Sequence, residues 1–300
     1  MANDSPRRDV HQDVTTKIIN TIEAGAGAWS MPWHAHKAGM PANATTGAEY
    51  RGVNVLSLWV GGLAGGFSTN LWASYRQWAE KGHQVRKGEK GTMIVYYGTS
   101  TVRDPAEGGD DAERKFRFLK YSHVFNAAQV EGFQAPEVER PNLAQRIAAA
   151  ESFVDKTGAA IQYGMERAFY APSRDLIAMP DFDRFVDTAT ATATENAYST
   201  LLHELTHWTG HEKRCARDLK GRFGNDAYAA EELVAELGAA FLCARLGITP
   251  EPRADHAQYL AGWLTIMRAD KKAIFTAAAK ASAAVDYLES LHAPRLAAAA

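Results

Sequence analysis

The sequence predicts an α+β protein of two domains: an α+β first half and a mainly helical second half with a small sheet. Three observations carry this. Apolar residues recur at helical spacing in several long segments. Short β-branched and aromatic runs lie between them, and helices and strands fall in segregated runs rather than strict alternation. A charged, proline-bracketed passage divides the halves, giving domains of 1–135 and 142–300 with residues 136–141 as the linker.

Taken in order, residues 9–24 set Val10, Val14, Ile18, Ile19 and Ile22 at helical spacing, ending near Gly25. A passage with Trp29, Pro32, Trp33 and Pro41 follows, then Tyr50-Arg51-Gly52 and an apolar stretch closing at Gly65-Gly66. Residues 69–81 read as a helix that gathers Leu71, Trp72, Tyr75, Trp78 and Ala79 on one side. Residues 92–97 and 116–125 read as paired strands around a polar loop at 103–114, which contains Pro105 and Gly108-Gly109. The second half opens with a helix over 142–157. Short strands over 168–171 and 176–179 follow, turned by Pro172-Ser173-Arg174-Asp175, then helices near 195–210, 228–246, 255–269 and 270–291. Residues 296–300 are expected to fray.

Composition bounds the function classes. The chain is 46% hydrophobic with a formal charge of −2, which fits a soluble globular protein and gives no overall bias toward nucleic acid. The N-terminus has no apolar run of a secretory signal, and residues 53–67 are too short and glycine-rich to span a bilayer. The expectation is a cytoplasmic protein with no membrane partner. Cys215 and Cys243 are too few for a disulfide framework and lack CxxC spacing, so both are expected reduced.

The clearest chemistry is His203-Glu204-Leu205-Thr206-His207. Residues four apart stack on one helical face, so His203 and His207 can offer imidazoles to one ion, while Glu204 can reach a bound water without ligating. Leu201, Leu202, Leu205 and Trp208 give the helix an apolar side, and Gly210 ends it. An extended pattern with a third histidine fails, because its last position is Lys213. The third ligand is therefore sought in Glu231-Glu232-Leu233-Val234-Ala235-Glu236. Glu232 is the leading candidate, with Glu231 its rival by one residue of helix phase. Glu236 and His211 are candidates to back the ligands.

The metal expected is Zn2+, although other divalent ions suit the same donors. Zinc acidifies water in such sites, and Glu204 is placed to take the proton and pass it to a leaving amine. His211 and Tyr228 are candidates for an oxyanion donor by sequence proximity alone. The strand pair before the helix could offer an edge to an extended peptide.

The first half concentrates rings and cations, among them Trp29, Trp33, Arg51, Trp72, Tyr75, Arg86, Lys87, Lys90, Tyr96 and Tyr97. Such mixtures hold single-stranded nucleic acid, though Trp72, Tyr75 and Trp78 at helical spacing equally suit a core.

The chain resembles the ArdC antirestriction family of conjugative plasmids, related to the DNA-binding part of TraC-type primases. The matching stretches in the first half include Tyr50-Arg51-Gly52-Val53-Asn54-Val55-Leu56, Val85-Arg86-Lys87-Gly88-Glu89-Lys90-Gly91-Thr92 and Val124-Phe125-Asn126. In the second half they are the histidine motif through His211, the Glu231 run and Asp270-Lys271-Lys272-Ala273-Ile274-Phe275. The resemblance implies a single-stranded-DNA-binding domain joined to a SprT-like zincin metallopeptidase domain. It also implies protection of incoming plasmid DNA from restriction. The leading reading is a DNA-tethered metallopeptidase acting on DNA-bound proteins, in the cytoplasm of the donor or, after transfer, of the recipient cell. Arg51, Trp72, Tyr75, Arg86, Lys87 and Lys90 are the DNA contacts expected within it. The competing reading is a strand-coating protein whose metal serves structure.

Overall fold

Helix α1 (Val10–Gly25) buries Val10, Val14, Ile18, Ile19 and Ile22, the apolar positions that its spacing sets on one side. The computed structural model describes residues 8–25, 33, 39–103, 113–135, 141–219, 226–249 and 256–292. Strand β1 (Ala42–Asn43) and helix α2 (Val53–Gly65) follow, with α2 buried along most of its length. Residues 69–81, expected as a single helix, instead form strand β2 (Leu71–Ser74) and a short helix α3 (Tyr75–Glu80). Ser74 is the reason for the break. Its hydroxyl accepts from the Gln77 backbone N–H while the Gln77 side chain accepts from the Ser74 N–H, so the helix starts there.

Strands β3 (Thr92–Arg103) and β4 (Glu113–Asn126) pair antiparallel from Thr92↔Val124 out to Arg103↔Glu113. They are longer than the sequence predicts, and the loop between them falls mostly outside the described residues. The four strands order as β1-β2-β4-β3. The edge strand β3 is closed by α2: the Asn54 side-chain amide donates to the Val95 carbonyl and accepts from the Val95 N–H, each at 2.8 Å.

In the second half α4 (Leu143–Thr157) begins at an Asn142–Gln145 capping box and ends at Gly158 in the left-handed conformation. A three-stranded sheet follows, ordered β5-β7-β6, from β5 (Ala160–Gln162), β6 (Phe169–Ala171) and β7 (Leu176–Ala178). Helices α5 (Ala193–Thr209), α6 (Asp226–Leu246), α7 (His256–Ala269) and α8 (Ala273–Ser290) complete the chain. No helix among the described residues is long and apolar enough to cross a membrane.

The two halves share one buried apolar cluster. It joins Val14, Ile18 and Ile22 of α1 and Leu56 and Trp59 of α2 to Leu201 and Leu205 of α5, Phe241 of α6 and Ile274 of α8. Trp59 meets Phe241 with ring centroids 5.6 Å apart, and the Thr15 hydroxyl donates to the Lys271 carbonyl at 2.7 Å. Cutting a fully buried isoleucine such as Ile22 to alanine costs about 2–5 kcal/mol. Of the linker residues, only Pro141 lies within the described chain.

Candidate metal centre

Helix α5 carries the histidine motif, and its start is fixed by local chemistry. The Thr192 hydroxyl accepts from the Glu195 N–H, and Glu195 returns a bond to the Thr192 N–H. The other Glu195 oxygen accepts from Arg146 and from the Thr249 hydroxyl, which ties α4 and the end of α6 to the motif helix. Burial raises the Glu195 pKa, but these hydrogen bonds outweigh it and hold the carboxyl at about 2.

Helix α6 lies close against α5 because Gly238 faces Thr206. A Cβ at 238 would stand 2.5 Å from the Thr206 methyl group, so a side chain there would force the helices apart. This approach brings the glutamates of α6 under the histidines of α5. Glu232 stands between both imidazoles, 3.4 Å from His203 Nε2 and 3.5 Å from His207 Nε2. The edge of a tetrahedron with metal bonds of 2.0–2.2 Å is about 3.4 Å. One atom from each of these residues falls within 4.8 Å of the others, and all three side chains are largely buried.

The opposite ring nitrogens face the other glutamates. His207 Nδ1 is hydrogen-bonded to Glu231 at 3.2 Å, and His203 Nδ1 lies 3.8 Å from Glu236. Glu231 is held in turn by Arg217, which donates to both carboxylate oxygens, to the Thr209 hydroxyl and to the Thr206 carbonyl. Glu236 accepts from the Trp33 indole N–H at 3.0 Å, so a residue of the first half supports the site.

Burial works against a charge on His207, yet Glu231, Glu232 and Glu204 outweigh it and push its pKa up to about 10. Burial likewise opposes charge on Glu232, but the two imidazoles hold it well below the ordinary carboxylate range. The cluster is built for positive charge. Both ring nitrogens of His203 are buried without a hydrogen-bond partner, and two imidazoles plus a carboxylate are the donors a divalent ion of the zinc or manganese type accepts. The residues fit a metal.

A family described as the N-terminal domain of anti-restriction factor ArdC matches residues 8–125, and a zincin-like metallopeptidase family matches residues 148–280. The metal-free crystal structure of the antirestriction ArdC protein from the R388 plasmid is 38% identical with a TM-score of 0.79, covering 95% of this chain and 98% of that one. The chain belongs to the ArdC antirestriction family. The R388 protein is also known in a Mn(II)-bound structure, at a TM-score of 0.77 and 36% identity, covering 96% of this chain and 100% of that one. Uncharacterized protein y4eC of Sinorhizobium fredii (strain NBRC 101917 / NGR234) is 43% identical over 289 residues, 94% of this chain and 92% of that one. DNA primase TraC of Escherichia coli is 36% identical over 302 residues, 94% of this chain but 27% of the primase.

Within this ArdC-family chain the remaining site residues divide. Glu204 is buried, and its charge acts on His207. Tyr228 is hydrogen-bonded to Tyr259 at 3.2 Å and to Glu232; burial, then those bonds, raise its pKa well above the ordinary phenol value. His211 does not back a ligand imidazole: its Nδ1 accepts from the Lys213 N–H in the turn beyond α5. Lys213 itself is exposed.

The expected DNA contacts separate in the same way. Trp72 is fully buried with Leu58 and Val124, so it has no face to offer a base. Arg51 is paired with Asp286 of α8 and joins the two halves. Arg86 is held by Glu89 at 2.7 Å and by the Ala128 carbonyl. Tyr75, Lys87 and Lys90 are exposed. Trp33, Arg217 and the role of Glu231 behind His207 were not legible beforehand. The one available signal was the Glu231-Glu232 doublet, which places two carboxylates on adjacent helix positions.

Proposed function

We propose that this protein guards incoming single-stranded plasmid DNA against restriction during conjugative transfer, and that its second half is a divalent-metal peptidase acting on proteins held on that strand. The observation that carries the peptidase reading is Glu232 seated between the Nε2 atoms of His203 and His207, with Glu204 buried beside them on the same helix. The Mn(II)-bound R388 relative supports a divalent ion here, and zinc suits the same donors.

When bound, the ion supplies Lewis-acid polarisation of a carbonyl and acidifies water. Each residue then has a defined task. Glu231, fixed by Arg217, holds the Nδ1 proton of His207 and so directs its Nε2 toward the ion. Glu236, fixed by Trp33, stands behind His203. Glu204 receives a proton on its carboxylate and returns it to the leaving amine. Tyr228, kept protonated, donates its O–H to the charge that develops on the carbonyl oxygen.

The test pairs two assays on the full-length protein: cleavage of a protein bound to single-stranded DNA, and protection of incoming DNA in cells. Wild type should cleave with metal, and Glu204→Gln should not while still binding the strand. Absence of cleavage across zinc and manganese, or equal cleavage by the Glu204 variant, would sink the peptidase reading.

A second reading has a specific observation behind it. Because Trp33 of the first half donates to Glu236, an ion in the site could fasten the halves together while the protein merely coats DNA. Full protection in cells by Glu204→Gln would favour that reading.

A further inference from the structure

We infer that the outer half of the β3–β4 hairpin is the platform on which single-stranded DNA bases stack; this rests on the DNA-binding reading above. The hairpin carries two different faces along its length. Near its base, the face that includes Val124 packs with Leu58 of α2 and Trp72, and Thr92 fits under Gly61. Farther out, the opposite face is met by the start of α1, where His11 is hydrogen-bonded to Tyr97 at 2.8 Å and Arg8 lies 5.6 Å over the Tyr121 ring.

The first face continues outward through Tyr96, Gly98 and Ser100 on β3, paired with Lys120, Phe118 and Phe116 on β4. Period-2 alternation should make such a solvent-facing row polar, yet here three of its six positions are aromatic. Tyr96 is 64% exposed and Phe116 43% exposed. Phe118 lies across Gly98, where any Cβ would come within 2.2 Å of its ring, so glycine allows the ring to lie flat along the ribbon.

The rings form a line, not a closed cluster. Phe118 stands 6.4 Å from Tyr96 and 6.3 Å from Phe116, tilted by 55° and 52°, and spaces the two exposed rings that can take a base. Lys120 places its ammonium 4.9 Å from the Phe118 centroid. None of these six residues is acidic. Open rings in series beside a cation are what an unpaired strand requires, with bases on the rings and phosphate near the lysine. A protein partner seated on this row would leave the Lys120 charge desolvated.

The test uses the full-length protein and three labelled probes: oligothymidylate, an abasic oligodeoxynucleotide of equal length, and oligouridylate. The double variant Tyr96→Ala/Phe116→Ala should bind oligothymidylate about 5- to 150-fold more weakly for each lost stacking contact. It should bind the abasic strand as wild type does, because phosphates alone hold that probe. Lys120→Gln should lower the salt slope of oligothymidylate binding by about 0.7. These side chains lie outside the core, and an unchanged melting temperature checks that the variants fold.

Wild type binding oligothymidylate while the double variant binds equally well would overturn this inference and leave the DNA-binding reading intact. Wild type binding neither deoxy probe would overturn that reading as well. Oligouridylate held more tightly than oligothymidylate would redirect the platform to RNA. Loss of self-association in the double variant, with unchanged oligothymidylate binding, would make the face an interface between copies.

Discussion

The metal centre and the outer hairpin show two ways that polar or aromatic residues come together in one chain. At the centre, buried groups are backed: Glu231, held by Arg217, is hydrogen-bonded to His207, and Glu236, held by Trp33, stands 3.8 Å from His203 Nδ1. On the hairpin, large rings stand in water with little behind them. The difference fits the two proposed roles. A metal site in low dielectric needs its charged groups paired, because an unpaired buried charge is costly. A surface that accepts any base sequence needs only open faces and a cation.

The largest expected effect falls on the chemistry. Glu204→Gln should lower peptidase turnover by about 10²–10⁴-fold while strand affinity stays within error, as measured by single-turnover cleavage and a mobility shift. Tyr228→Phe should cost turnover about 10²–10³-fold with metal content unchanged by elemental analysis. If either variant lost metal and activity together, the residue would belong to the scaffold instead.

Next come the supports. Glu231→Gln removes the carboxylate that pairs with Arg217 and should weaken metal binding about 10–100-fold in a chelator competition. Trp33→Phe keeps the ring but removes the donor to Glu236, so a smaller loss in the same assay is expected. Equal affinity in both variants would mean that the residues behind the histidines do not orient them.

Smaller effects probe the packing. Gly238→Ala should destabilise the fold by about 1–3 kcal/mol in denaturant, by pushing α6 off Thr206. Acid should do so too, with a sign set by Glu195. Its folded pKa is lowered from 4.5 to about 2, so its contribution is present above pH 4.5 and disappears as pH falls toward 2. Melting temperatures of wild type and Glu195→Gln should therefore converge across that window. A gap that persists below pH 2 would assign the role of Glu195 to shape rather than charge.

Much of the secondary structure was legible because it is local. The apolar spacing of α1, the capping residues of α4 and α5, and the β-branched content of β3 act within a few positions of themselves. The helix predicted over 69–81 fails for an equally local reason: the Ser74–Gln77 capping box starts a helix at Tyr75, and the residues before it extend as a strand. Trp72 then belongs to a central strand and is buried, which removes it from any surface.

By itself, the sequence determined that His203 and His207 share a helix face with Glu204 between them, because a four-residue step on an α-helix permits little else. It also narrowed the carboxylates to Glu231, Glu232 and Glu236. Only the tertiary structure decided how those were shared out. Which carboxylate meets Nε2 and which meets Nδ1 depends on how closely α6 approaches α5, and that distance is set by Gly238 against Thr206. The same holds for the aromatics of the first half. Spacing along the chain shows that rings are plentiful, but only the packing of α1 and α2 on the sheet decides which of them water, or a strand of DNA, can reach.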